Sequence, residues 1–279
     1  MHKSVQDITE MKIESKKISI VTSYDYTLAS LCDKSGIDVL LVGDSAGMVM
    51  LGYENTIPVT MEQMCMFTEA VNNARKNALL VADMPFMSYQ AGIDEAIRNS
   101  GRLIKAGADA VKLEGGATLA KTVRAIVDVG IPVMGHIGLQ PQTTMLHQGY
   151  KVQGRTHDTA TTLIQDADIL EDAGVFSIVL EMVSHEVAEM ISDRVKIPTI
   201  GIGSGPHCDG QVLVIQDLLG MYEKIKPKFA KRYMNLSEDI TNAISQYNND
   251  VRSGTFPSEE NYFSMNPGEA EKLRDEIGS

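Results

Sequence analysis

Eight short apolar runs, separated by segments of helical character, constrain the fold more than any other feature. They occupy residues 18–23, 39–43, 79–82, 110–113, 132–134, 177–180, 198–202 and 212–215. Runs of this kind predict strands buried on both faces, which means a parallel sheet covered by helices. Between them, residues 91–106 place Ile93, Ala96, Ile97, Leu103 and Ile104 at three-to-four spacing and stop at Gly107. Residues 119–129 form a second helical segment, ended by Gly130 and Pro132. Eight strand–helix units predict closure into a (β/α)8 barrel, a TIM barrel. An open doubly wound sheet is the competing architecture. It usually carries a glycine-rich phosphate turn after its first strand, whereas this chain has Tyr24-Asp25-Tyr26-Thr27 there. The barrel is therefore preferred.

Extra helices flank the eight units. One is expected at 5–11, and an amphipathic one is marked by Phe229, Tyr233, Ile240, Ala243, Ile244 and Tyr247. The organisation expected is a single barrel domain over 1–279, with 254–279 a polar, acidic, peripheral tail that ends in a weakly held helix at 269–277.

Charge narrows the function. The chain has 25 basic and 37 acidic residues, a net −12, which disfavours nucleic acid and an anionic membrane surface as partners. No apolar run reaches the length of a membrane span, and the first residues lack the pattern of a targeting segment, so a soluble cytoplasmic protein is expected. Cys32, Cys65 and Cys208 are scattered without metal-ligand spacing and read as reduced thiols.

In a barrel the chemistry lies where strands end at the C-terminal face. Those positions hold Asp25, Asp44 with Ser45, Asp83, Lys112 with Glu114, His136, and Glu181. Each has a bland reading: Asp44 as a helix cap, His136 as a satisfied core residue, Lys112 and Glu114 as a solvated pair. Their coincidence at strand ends weakens all of these together. Several carboxylates converging without a cation are costly to desolvate, and one hard divalent ion with oxygen ligands, Mg²⁺, resolves this. The run Gly201-Ile-Gly203-Ser-Gly205-Pro206 reads as a tight turn rather than a dinucleotide fingerprint. Met48, Met50, Met84 and Met87 are candidates for a pocket wall; His147, His157, His185 and His207 read as surface or loop residues.

These segments closely resemble the ketopantoate hydroxymethyltransferase family. The likeness is carried by Thr22-Ser-Tyr-Asp25-Tyr, Val42-Gly-Asp44-Ser45, Asp83-Met-Pro-Phe86, Lys112-Leu-Glu114-Gly-Gly116 and Gly135-His136-Ile-Gly-Leu139 with Pro141-Gln142. Lys151-Val-Gln-Gly-Arg155 and the run from Gly201 to Gln211 complete it, over about residues 8–263. Gln140 and Ser204 stand where Thr and Ala are the commoner residues. The resemblance implies a Mg²⁺-dependent barrel of the phosphoenolpyruvate/pyruvate-binding type. It implies transfer of a hydroxymethyl group from 5,10-methylenetetrahydrofolate to 3-methyl-2-oxobutanoate through a Mg²⁺-stabilised enolate, as a step of pantothenate synthesis. By the same resemblance Asp44, Asp83 and Glu114 form the metal site, some through water. Asp44, Ser45, Asp83, Lys112 and His136 contact the keto acid, Glu181 is the base, and the enzyme is a homo-oligomer, a decamer or octamer. Three alternatives stay open: another Mg²⁺-dependent keto-acid lyase or aldolase on the same barrel, a Schiff-base aldolase using Lys112, and a non-enzymatic keto-acid or metal binder.

Overall fold

A computed structural model describes residues 2–143 and 151–278, so the expectation for His147 lies outside the described residues. Eight parallel strands close into a barrel in sequence order, the eighth pairing with the first. They are β1 (Ile18–Thr22), β2 (Val39–Val42), β3 (Leu79–Asp83), β4 (Ala110–Glu114), β5 (Val133–Gly138), β6 (Ser177–Glu181), β7 (Thr199–Ile202) and β8 (Gly210–Leu213). The helices up to β8 are α1 (Val5–Ile13), α2 (Tyr26–Lys34), α3 (Ala46–Val49), α4 (Met61–Ala74), α5 (Ile93–Lys105), α6 (Ala120–Asp128), α7 (His157–Ala173) and α8 (His185–Arg194). After β8 come α9 (Ile215–Leu218), α10 (Leu236–Ser253) and α11 (Glu269–Ile277).

Each expected strand is present, but β5 runs on to Gly138, well past the expected end at 134, and the eighth is shifted. It starts at Gly210 rather than Val212, because Gly210 brings the ladder against β1. A Cβ there would lie 2.5 Å from the Ile18 carbonyl oxygen. Gly-Gln has little strand propensity, so an apolar-run reading misses this start.

Strand parity builds two apolar layers. Ile18, Ile20, Val39, Leu41, Leu79, Val81, Ala110, Met134, Val179 and Ile200 form one buried cluster, the plug inside the barrel. Ile8 of α1, fully buried, belongs to the same cluster. Lys3 N–H donates to the Asn77 carbonyl, and Lys12 pairs with Asp209 at 2.8 Å, so α1 closes the barrel at its strand N-termini. The alternate residues, among them Leu40, Val42, Leu80, Ala82, Val111, Ile178 and Leu180, pack outward with apolar side chains of the surrounding helices. Capping boxes at Thr60–Gln63 and Thr156–Thr159 start α4 and α7.

A buried carboxylate locks the outer layer. Asp33, at the end of α2, accepts backbone N–H bonds from Lys76 (3.1 Å), Asn77 (2.9 Å) and Ala78 (2.8 Å), tying α2 to the turn that leads into β3. Burial raises its pKa, but the bonds from Ala78, Asn77 and Lys76 outweigh this and hold it below the usual carboxylate value. Asp33→Ala leaves these donors without their anion, which costs about 3 kcal/mol. The expected result is a melting temperature lower by roughly 6–12 °C in calorimetry. Because the folded pKa is depressed, Asp33's contribution is present above the ordinary carboxylate range. It is lost as pH falls through the lowered value. The destabilisation by Asp33→Ala therefore shrinks in acid.

The chain divides into two compact units, the first ending at Tyr233 and the second beginning at Met234. The second contains α10 and α11. Ile240, Ala243, Ile244 and Tyr247 lie on α10 as expected, but Phe229 and Tyr233 precede it, in an irregular stretch that contains Pro227. Within this unit the Tyr247 and Phe256 rings meet edge to face at 5.5 Å.

Candidate active site

The same parity that builds the plug continues to its upper rim. Residues 79 and 81 face inward, so Asp83 does too; Ala110 is followed on that face by Lys112 and Glu114, Met134 by His136, and Val179 by Glu181. Register then sets neighbours level: Asp83 pairs with Lys112, and Glu114 with His136. Asp44 and Ser45 follow β2, whose strand ends at Val42. All seven line one cavity of about 370 Å³ at the C-terminal mouth.

Lys112 Nζ lies 2.9 Å from Asp83 Oδ1 and 3.3 Å from His136 Nδ1. Asp83 Oδ2 accepts the Asp44 backbone N–H at 3.0 Å. His136 Nε2 is 2.8 Å from the Leu139 carbonyl oxygen and 3.4 Å from Glu181 Oε2. A carbonyl can only accept, so Nε2 carries the proton and Nδ1 accepts from Lys112. Burial and the Lys112 charge hold the His136 pKa well below its ordinary value, which keeps the ring neutral. Burial opposes the Lys112 charge, yet Asp83, Glu114 and Asp44 outweigh it and raise its pKa, so Lys112 is an ammonium.

The carboxyl groups move the other way. Burial and the Asp83 charge push Asp44 up to about 7. Burial pushes Glu181 up to about 8. Burial, then Asp44, raises Glu114 well above the usual range, and burial raises Asp83 against the pull of Lys112. Four carboxyl groups thus share one ammonium, and this shortage of positive charge fits a cation. Among the described residues no three carboxylate, imidazole or thiol groups converge closely enough to hold an ion alone. Asp44 and Asp83 are joined through the Asp44 N–H and line the same cavity, and Mg²⁺ commonly takes one or two protein carboxylates, completing its shell with water and substrate. The donor set fits that pattern. Glu114 is engaged elsewhere: its Oε2 accepts the Gln142 N–H at 3.0 Å, and Oε1 faces His136 Nδ1 at 3.7 Å.

Several expectations need correction. Asp25 is not in the cavity; it caps α2, its Oδ1 accepting the Leu28 N–H at 3.0 Å. Asp44 does not cap α3, where Ser45 is the N-cap residue. Of the four methionines only Met48 lines the cavity; Met84 is in the core, while Met50 and Met87 are exposed. Exposure turns on which side of each strand end the chain leaves. His157, His185 and His207 lie outside the cavity lining. Gly203 and Gly205 have φ of +67° and +82°, a glycine-dependent turn. Within it, Ser204 Oγ donates to the Leu180 carbonyl (2.7 Å) and accepts the Val183 N–H (3.0 Å), bracketing Glu181.

Three residues with no assigned role hold the acidic ring. Gln142, 2% exposed, donates through Nε2 to Asp44 Oδ2 (2.9 Å) and to the Met84 carbonyl (2.9 Å). Tyr89, fully enclosed, donates to Gln142 Oε1 at 2.7 Å and accepts the Glu114 N–H at 3.2 Å. Tyr24 OH bonds Ser45 Oγ at 2.8 Å. None stands at a strand end on the inner face, and nothing in their local sequence marks a buried polar network.

A closed (β/α)8 barrel with a buried carboxyl ring in a cavity at its C-terminal mouth has the layout of a barrel enzyme with its active site there. The fold is shared with 2,3-dimethylmalate lyase, a PEP mutase/isocitrate lyase superfamily member, whose structure superposes with a TM-score of 0.60, at 16% identity, covering 99% of each chain. The chain matches the family described as ketopantoate hydroxymethyltransferase over residues 2–259. A 3-methyl-2-oxobutanoate hydroxymethyltransferase of Nitrosopumilus maritimus (strain SCM1) is 78% identical over 279 residues, 100% of both chains. One of Clostridium botulinum (strain Langeland / NCTC 10281 / Type F) is 52% identical over 274 residues, 98% of this chain and 100% of the relative. The chain belongs to the ketopantoate hydroxymethyltransferase family, and is an enzyme of the transferase class.

Proposed function

We propose that the protein transfers a hydroxymethyl group from 5,10-methylenetetrahydrofolate to 3-methyl-2-oxobutanoate, yielding ketopantoate for pantothenate and coenzyme A synthesis. The observation that carries this reading is the ring of Asp44, Asp83, Glu114 and Glu181 around Lys112, in a chain of this family. Asp44 and Asp83, with Glu114 acting through water, are the groups to hold Mg²⁺. The ion supplies Lewis-acid polarisation of the keto group, which makes the C3 proton more acidic.

Each residue then has a task. Lys112, kept charged by its acidic neighbours, sits against the substrate carboxylate. Ser45 and neutral His136 fix the keto acid's orientation, and Glu181 takes the C3 proton. Glu181 suits this task because it is half-buried, the least enclosed of the ring, while Asp44, Asp83 and Glu114 are buried. Its raised pKa makes it a stronger base than an ordinary carboxylate. The folate methylene carbon has two bonds to nitrogen: one opens as that nitrogen takes a proton, the C3 carbon bonds the methylene carbon, and water displaces the second nitrogen, leaving its hydroxyl on the carbon and its proton on the nitrogen.

A Schiff base on Lys112 requires a neutral amine, which the three carboxylates around it oppose. Purified protein, keto acid and methylenetetrahydrofolate are expected to give ketopantoate by NMR, with activity abolished by a chelator. Chelator-resistant turnover with borohydride trapping at Lys112 would overturn the reading. The same reading makes the enzyme cytoplasmic and homo-oligomeric, a decamer or octamer, which light scattering tests. Among the described residues no helix is long and apolar enough to cross a membrane.

A further inference from the structure

The cavity is larger than a small branched keto acid needs, and its two ends differ in chemistry. The floor is the charged ring. The outer wall is apolar and comes mainly from the segment after β8: Met182, Ile202, Tyr222, Ile225 and Phe229 line it. Its volume of about 370 Å³ falls in the range of about 300–1,000 Å³ typical of sites for drug-sized ligands. A hydroxymethyl transfer also has a second reactant, the one-carbon donor, which must approach the reacting carbon from this open side.

Two charged features stand on that wall. Asp217, in α9, lines the cavity, half-buried; burial raises its pKa against the opposing charge of Arg232. A carboxylate here repels an anionic keto acid, so it is misplaced for that substrate. It suits a neutral heterocycle that offers two N–H donors on one edge. The second feature is a reversal of charge. In a chain of net −12, residues 224–232 contain Lys224, Lys226, Lys228, Lys231 and Arg232 and no acid. Lys228 lines the cavity itself, and Arg232 Nη2 donates to the Tyr222 carbonyl at 3.0 Å, tying the two ends of the segment together. A ligand with a flat apolar body, a paired N–H edge at one end and carboxylates at the other matches all three features.

We infer that Asp217 and the segment 224–232 form the subsite for the reduced folate: Asp217 accepts from the 2-amino and N3–H edge of the pterin, and Lys228 faces the glutamate tail. This rests on the functional reading above and assigns the donor to one wall. The flat ring would lie against the apolar wall of Met182, Tyr222, Ile225 and Phe229, above the charged floor.

The test uses binding by calorimetry to the whole protein with keto acid present. The probes are tetrahydrofolate, its 2-desamino-2-methyl analogue, and the mono- and triglutamyl forms. The unaltered protein is expected to bind tetrahydrofolate at least about tenfold more tightly than the desamino analogue, since a site built around a donor pair rejects a ligand lacking it. Asp217→Asn is expected to bind the two equally. Lys228→Glu is expected to lose the preference for triglutamate while keeping the desamino discrimination. A merely structural role for Asp217 would weaken both probes by the same factor. Undiminished discrimination in Asp217→Asn, with hydroxymethyl transfer intact in the unaltered protein, overturns the subsite alone. Absence of transfer in the unaltered protein overturns the functional reading on which it stands.

Discussion

Glu181→Gln is expected to abolish deuterium exchange at C3 of 3-methyl-2-oxobutanoate while the keto acid still binds. The amide keeps the size of the side chain and its place beside His136 Nε2, but it cannot take a proton. Removing a positioned base costs about 10²–10⁴-fold in rate, so exchange in D₂O followed by NMR should fall by roughly a thousandfold. Binding should change little, because the groups assigned to the substrate carboxylate and keto oxygen lie elsewhere in the ring. The pH profile offers a second reading of the same residue. Burial raises Glu181 to about 8, with the Asp44 and Asp83 charges adding to it against Lys112. A base with a raised pKa is protonated below that value, so exchange should rise with pH toward 8 when little divalent cation is present. A cation beside Asp44 and Asp83 neutralises two of the charges that lift Glu181, so saturating Mg²⁺ should move the rising limb to lower pH. Unimpaired exchange in Glu181→Gln would remove it from the base role.

Why Glu181, Asp83, Lys112, Glu114 and His136 were visible in the sequence is a matter of periodicity. In a strand buried on both faces a charge stands out against the apolar run, and the inward face repeats every second residue toward the C-terminal rim. Position alone therefore selects these side chains, and eight strands at the right spacing imply a barrel on whose rim they meet. Asp25 shows the limit: a carboxylate after a strand is equally suited to cap the next helix, and here it does. Gln142 and Tyr89 were illegible for a different reason. They reach the ring from loops, and the bonds to Asp44, Glu114 and Met84 that define them join residues far apart in sequence. The basic run at 224–232 was readable as composition, but the overall net charge of −12 hid it. Its meaning depends on where the chain passes after β8, which no local pattern states.

The strongest test of the metal reading is thermal rather than kinetic. Asp44 and Glu181 bind protons more tightly folded than unfolded, with folded pKa values of about 7 and about 8. Where the folded state holds more protons, stability falls as pH rises. The loss begins near the ordinary carboxylate values, about 4, and is complete near the folded ones. Chelator-treated protein should therefore melt lower at pH 8 than at pH 6. Mg²⁺ at a hundred times its dissociation constant adds about 2.7 kcal/mol. For a domain of this size that raises the melting temperature by roughly 5–11 °C. The rise should be larger at pH 8, because at pH 6 protons compete for the same oxygens. Asp44→Asn separates this from nonspecific salt effects by giving two changes of opposite sign. It removes a buried charge opposite Asp83 while its carbonyl can still accept from Gln142, so the chelated variant should melt higher than the unaltered protein at pH 8. It also removes a ligand, so its Mg²⁺-induced rise should nearly vanish. An equal Mg²⁺ effect in both proteins would take Asp44 out of the metal site, whatever the activity of the variant.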